Sequence, residues 1–308
     1  MNKRILTIPP KWRIEDLIDK NYYNNIDEVR GLNGNILANE KVSNEAIKII
    51  EQDLLPNAFE DDNGKMLKKT LDCLYSRMEP STVLHSLNVA YISKNLSEKY
   101  SLDTENMIKA SLIHDAGKIT IKPNILYDGI NFEEISEEEK LRRYKKIDSH
   151  SAICEYVMEN LINKVNDEEN SNYNLYEIIP KKAIDIATVH HFPNFDIKDP
   201  NLSNKFKNIL EKYPDESSLL LQVDVFESIT SASRSYIKSK KNETQIKNII
   251  DGNIDDMQLK FEEFSIDDSP SIYLSHSVIS TMCRREKELN HYNEQINTLL
   301  EEKNPLAL

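Results

Sequence analysis

Cysteine is scarce in this chain: Cys73, Cys154 and Cys283 are the only three among 308 residues, far apart and without a CxxC pair. That excludes a disulfide framework and a thiolate zinc site, and it sets the expectation of a reducing, cytoplasmic compartment. Long apolar runs are also missing. No stretch nears the ~20 apolar residues of a membrane span, and the opening segment from Met1 to Pro10 has too short an apolar run for a secretory leader. Neither membrane insertion nor export is therefore expected. Glycine is rare, with six in the whole chain, and apolar residues recur mostly at three- and four-residue intervals. This predicts an all-α fold in which strands are scarce at best. Positive charge is outnumbered, 39 Lys and Arg against 52 Asp and Glu, for a net charge of -13. Such a balance argues against a broad grip on long nucleic acid and leaves room only for a local basic pocket.

The chain is long enough to bury a core without staples. Its first 40 or so residues read as irregular around Pro9 and Pro10, apart from a short helix over Arg13 to Lys20, with Trp12 anchoring the segment. A helix is expected from Ser43 to Leu54, with Ser43 as N-cap and Pro56 beyond its end. Asp61-Asp62-Asn63-Gly64 is the candidate linker. Helices are then expected over Met66 to Met78, Thr82 to Lys99 and Asp103 to His114, the last closed by Gly117 as a C-terminal cap. Further ones follow over Ile147 to Val165, Pro180 to His191, Asn201 to Tyr213, Ser217 to Ser239 and Glu243 to Phe264. The polar stretch Asn166 to Asn174 reads as a flexible loop. The resulting segments are 1–64, a partly irregular helical extension; 65–265, the central domain; and 266–308. In the last, Ile272 to Glu302 reads as a long amphipathic helix that docks on the body or forms a homodimer contact, with His276 and His291 on its surface.

The chemistry concentrates in the central segment, around Leu112-Ile113-His114-Asp115-Ala116-Gly117-Lys118. His114 and Asp115 end a mostly apolar helix, where an uncompensated carboxylate is costly. A divalent cation between imidazole and carboxylate would compensate it, iron, manganese and zinc all suiting such donors, whereas an Asp115 to Lys118 ion pair is the simpler alternative. His85 lies in line with Val89, Ile92 and Leu96 and therefore faces inward. Alone, a buried histidine is more often a hydrogen-bonded core residue than a ligand. His190 and His191 close another apolar helix, His150 opens one, and Asp224 sits inside the apolar run Leu219 to Phe226, where it needs a cation or a hydrogen-bond cage.

The order of these residues, an early His, a His-Asp pair, a later His, a His-His pair and a final Asp in a helix, resembles that of the HD-domain metal-dependent phosphohydrolases over about residues 82 to 240. Within that superfamily the match is nearest to the HD-GYP cyclic-dinucleotide phosphodiesterases. His114-Asp115-Ala116-Gly117-Lys118-Ile119 is similar to their HDxGKI element, Val223 to Thr230 to their VaDvfDAlT segment, and Arg234-Ser235-Tyr236 to their RPY. The chain departs from the family after the histidine pair. Where the family continues E-R-x-D-G-x-G-Y-P, this chain has Phe192-Pro193-Asn194-Phe195-Asp196-Ile197-Lys198-Asp199-Pro200, and only the final proline agrees.

The resemblance implies an HD-domain helical bundle holding two divalent metal ions (Fe, Mn or Zn). A glutamate that holds a third ion in some members is replaced here by Ser81. His85, His114, Asp115 and Asp224 would hold one ion, and Asp115 would bridge to a second held by His150, His190 and His191. A hydroxide shared by the ions would attack phosphorus. Lys118, with Asp115 the second catalytic residue, and Arg234 would bind the substrate phosphate. The expected substrate is a cyclic dinucleotide resembling c-di-GMP, or another cyclic nucleotide. The altered 192–200 loop keeps two alternatives open: a catalytically silent nucleotide sensor, and a phosphohydrolase acting on nucleoside phosphates.

Overall fold

The computed structural model describes residues 6–8, 36–121, 136, 138–139, 147, 149–191, 195–197 and 200–230. Among them the all-α expectation holds, with one exception: strand β1 (Leu6–Ile8) pairs in parallel with β2 (Phe195–Ile197), Leu6 opposite Phe195 and Ile8 opposite Ile197. Helix α1 covers Ile36–Ile49 and continues as a π-helical turn over Ile50–Leu54. Ser43 is thus not a helix start. It sits inside α1 on a packed face, fully buried, and its hydroxyl donates to Asp72 Oδ1 at 2.6 Å.

The expected linker is also a structured element. Asp61 is the N-cap of α2 (Asp62–Tyr75), and its carboxylate accepts from the Gly64 N–H at 2.7 Å. This satisfies one of the donors a helix leaves open at its start. Helix α3 (Pro80–Tyr100) begins with proline at its first position, where the missing N–H removes no helix bond, and stops at Ser101 in the left-handed region with φ 56°. Asp103 then caps α4 (Thr104–Ile113) through a bond from Asn106 N. After α4 a 3-10 turn spans Ala116–Thr120.

The remaining helices are α5 (Cys154–Glu169), α6 (Leu175–Ile178), α7 (Lys181–Val189), α8 (Pro200–Lys212) and α9 (Pro214–Thr230). The Asn166 to Asn174 stretch is not a free loop. It begins inside α5 and is tied down by buried Asn166, whose Oδ1 accepts from Tyr173 N at 3.0 Å and whose Nδ2 donates to Tyr173 O at 2.8 Å. Asn174 then forms a capping box with Glu177 at the start of α6.

One apolar core runs from Val42 to Val223, with Leu71, Leu74, Tyr75, Leu84, Leu87, Ile92 and Leu96 fully buried at its centre. Each such residue contributes about 1.5–3 kcal/mol. Helix α3 is the spine, packed on α4 and on α9, while α7 lies against α4 and α9. A second small cluster, Ala152, Val189, Phe206 and Ile209, wedges α8 beneath the 149–153 turn and the end of α7. No helix among the described residues is long and apolar enough to cross a membrane. The segments Arg13 to Lys20, Glu243 to Phe264 and Ile272 to Glu302, together with Trp12, His276, His291 and the boundary at 265, lie outside the described residues.

Candidate metal centre

The end of α4 is held by side chains from its neighbours. Its last carbonyls lack helical donors; Tyr75 Oη donates to Leu112 O at 3.0 Å and Cys154 Sγ to Ile113 O at 3.3 Å, both from buried positions. His114 therefore leaves the helix as its C-cap and Asp115 follows in the first step of the 3-10 turn. Gly117, expected as a helix cap, has another role. A Cβ placed on it would lie 2.1 Å from His150 O and 2.8 Å from Ile153 Cγ1. Its bare backbone lets the His150 turn close against the turn that carries Asp115.

Five histidines and two aspartates converge there. His85 comes from the middle of α3, His114 and Asp115 from the end of α4, His150 from the turn before α5, His190 and His191 from the end of α7, and Asp224 from α9. All are buried except His191, whose side chain is 20% exposed. The ligand atoms form two groups of three, His85 with His114 and Asp115, and His150 with His190 and His191. Asp115 lies between them: its Oδ1 is 2.8 Å from His150 Nε2 and 3.6 Å from His114 Nε2, and its Oδ2 is 3.6 Å from His85 Nε2. Asp224 Oδ1 stands 2.8 Å from His85 Nε2 and 3.6 Å from His114 Nε2, and its Oδ2 reaches 3.8 Å from His191 Nε2.

The protonation pattern shows what these atoms are suited to hold. His114 Nδ1 bonds Ser111 O at 2.6 Å, His190 Nδ1 bonds Ala187 O at 2.6 Å, and His150 Nδ1 bonds Ile147 O. A carbonyl can only accept, so each Nδ1 carries the proton and each Nε2 presents a lone pair. The lone pairs of His150 and His190 face one another at 3.3 Å, and His114 Nε2 faces His85 Nε2 at 3.2 Å. Asp115 Oδ1, fully buried, accepts no hydrogen bond. Facing lone pairs and an orphaned carboxylate oxygen are costly without positive charge among them, and divalent cations with nitrogen and oxygen preferences fit.

The electrostatics agree. Burial opposes charge on Asp115, yet Lys118 and His114 beside it hold its carboxyl well below the usual range. Burial likewise opposes charge on Asp224, and His114 and His85 beside it overcome that and hold its carboxyl well below the usual range. Burial, reinforced by His191 and His114, holds His190 well below its ordinary value; burial and His150 bring His191 down to about 3. Burial also depresses His150 despite Asp115, whereas for His114 the pull of Asp115 and Asp224 outweighs burial and raises it. The carboxylates stay charged and the depressed imidazoles stay neutral, as ligands must.

This arrangement has a pH signature in the metal-free protein. His150, His190 and His191 titrate below their ordinary value of 6.5. They therefore contribute stability that is present above that value and lost as pH falls, since the unfolded chain then binds more protons. His114, raised above 6.5, contributes in the opposite sense. Three groups outweigh one, so the unfolding temperature of chelator-treated protein is expected to drop between about pH 6.5 and about pH 5, at about 1.4 kcal/mol per pH unit for each uncompensated proton. A rise over that range in a thermal melt would contradict the arrangement.

Lys118 Nζ donates to Asp115 Oδ2 at 2.6 Å, so the simple ion pair and the cluster coexist at this carboxylate. Arg234 and all of 192–194 and 198–199 lie outside the described residues. Reading the sequence alone missed Glu227, which is bonded to His85 Nδ1 and accepts from Asn88 Nδ2 at 2.9 Å. The available signal was its place three residues after Asp224, on the same helix face.

A helical bundle with a buried set of inward-facing imidazole nitrogens and ionised carboxylates defines a protein suited to bind divalent metal. The family model described as HD domain matches residues 82–258, more than half of the chain, and the chain belongs to that family, whose members are generally metal-dependent phosphohydrolases. No curated protein and no solved structure matches it.

Proposed function

We propose that the chain is a cyclic-dinucleotide phosphodiesterase of the HD-GYP kind that works with two divalent ions. His85, His114, Asp115 and Asp224 hold one ion, and Asp115, His150, His190 and His191 the other. The observation that carries this reading is Asp115, placed between the two groups with one oxygen toward His150 and the other toward His85. Paired cations supply an acidified water and positive charge for the attacking and leaving oxygens of phosphoryl transfer.

The chain's own residues do the rest. Asp115 remains ionised between the two triads. Lys118 orients it through one N–H and has two further N–H groups for a phosphate oxygen. Arg234 adds a fork-shaped donor for the same phosphate. His191 is the partly exposed member of the cluster, and substrate would enter from its side. The substrate class rests on the similarity of His114 to Ile119 and Val223 to Thr230 to the HD-GYP elements, and the departure over 192–200 is what sets a silent nucleotide sensor and a nucleoside-phosphate hydrolase against it.

The test is incubation of metal-loaded protein with cyclic dinucleotides, cyclic mononucleotides and nucleoside phosphates, followed by chromatography of the products. A linear dinucleotide is the expected product. Hydrolysis confined to nucleoside phosphates, or nucleotide binding without turnover, would overturn the substrate assignment.

A further inference from the structure

We infer that Glu227 is a positioning residue that fixes the tautomer of His85 and strengthens it as a metal donor, an inference that rests on the metal reading of the cluster. His114, His150 and His190 each donate Nδ1–H to the carbonyl three residues earlier, at Ser111, Ile147 and Ala187. All three stand at helix ends or turns, where such carbonyls have no helical donor. His85 cannot use this device. It lies inside α3, where the carbonyls of the preceding turn accept from the helix's own N–H groups.

Helix α9 supplies the missing acceptor. Glu227, 3% exposed, bonds His85 Nδ1 through Oε2, and its Oε1 accepts from Asn88 Nδ2 at 2.9 Å. Asn88 lies three residues after His85 and Glu227 three after Asp224, so each helix contributes two residues from one face. One helix therefore grips both nitrogens of His85, with Asp224 Oδ1 2.8 Å from Nε2 and Glu227 at Nδ1. A carboxylate behind a ligating imidazole holds the ring in orientation and raises its basicity more than a neutral carbonyl does. Burying that carboxylate without the histidine and the asparagine would be costly, which argues against Glu227 as passive filler.

The experiment is a stepwise titration of metal-free protein with cobalt(II), read by visible absorption and by competition with a chelator. In Glu227→Gln, which keeps the shape and removes the charge, one cobalt ion is expected to bind about 10–100-fold more weakly and the other within about twofold of wild type. The metal-free unfolding temperature should stay close to wild type, which separates ligand tuning from a structural role. Equal cobalt affinities in variant and wild type would overturn the inference, whereas a wild type that binds no cobalt would overturn the metal reading instead. Should the variant not fold, nitrogen–proton NMR of the zinc-loaded wild type decides: a proton on His85 Nδ1 is expected, and a proton on Nε2 refutes the relay.

Discussion

Asp115→Asn is expected to lower phosphodiester hydrolysis at least ~1,000-fold, equivalent to about 4 kcal/mol of transition-state stabilisation, and to strip metal from the purified protein. The substitution is nearly isosteric, so the apolar shell around the site is unchanged, and the amide oxygen can still accept from Lys118. What it removes is the negative charge nearest both triads at once, 2.8 Å from His150 Nε2 and 3.6 Å from His85 and His114 Nε2. An amide can neither bridge two cations nor offset their mutual repulsion. Both metal affinities are expected to fall, unlike in Glu227→Gln, where the expected loss is confined to one. Turnover within ~10-fold of wild type would mean that Asp115 serves only as the ion-pair partner of Lys118.

Gly117→Ala is the second large effect, and here two tendencies oppose each other. In a helical turn the change ordinarily stabilises by about 0.5–1 kcal/mol through the unfolded state. The new methyl would, however, meet His150 O at 2.1 Å and Ile153 Cγ1 at 2.8 Å. The first of these is backbone, which no rotamer change can move aside, and overpacking of this kind costs about 1–3 kcal/mol or more. A net loss of about 2 kcal/mol in denaturant melts of the metal-free protein is therefore expected, with His150 pushed away from Asp115 and its ion bound at least ~10-fold more weakly. Stability equal to or above wild type, with metal affinity intact, would show that the turn has slack and that the close approach is not needed.

Five of the seven residues in the cluster were legible in the sequence because they are chemically out of place. His114 and Asp115 end an apolar helix, Asp224 interrupts an apolar run, and His190 and His191 close another. Polar groups at core positions declare a partner before the partner is known. Their supports were harder to read. Glu227 has the same three-residue spacing from Asp224 as an exposed helix carboxylate would have, and only the packing of α9 on α3 turns it toward His85. Gly117 looked like a helix cap because caps and close approaches both select glycine; the distance to His150 O decides between them.

Ser43 misled for a similar reason. A serine next to a helical run is a good N-cap, but it is also small enough for a packed helix face, and the hydroxyl bond to Asp72 comes from a helix beyond it in sequence. The pairing of Leu6–Ile8 with Phe195–Ile197 has no local signature at all, since a parallel ladder between distant segments is set by where the rest of the chain places them. That pairing joins the first described segment to the sequence that departs from the family pattern, a few residues after His191.

The most direct test of the metal centre is elemental analysis of protein purified without oxygen and reconstituted with manganese or iron, alongside Asp115→Asn treated identically. Two divalent ions per wild-type chain, lost in the variant, are expected. A wild type that retains no metal, or a variant that keeps the full complement, would contradict the binuclear site built around Asp115.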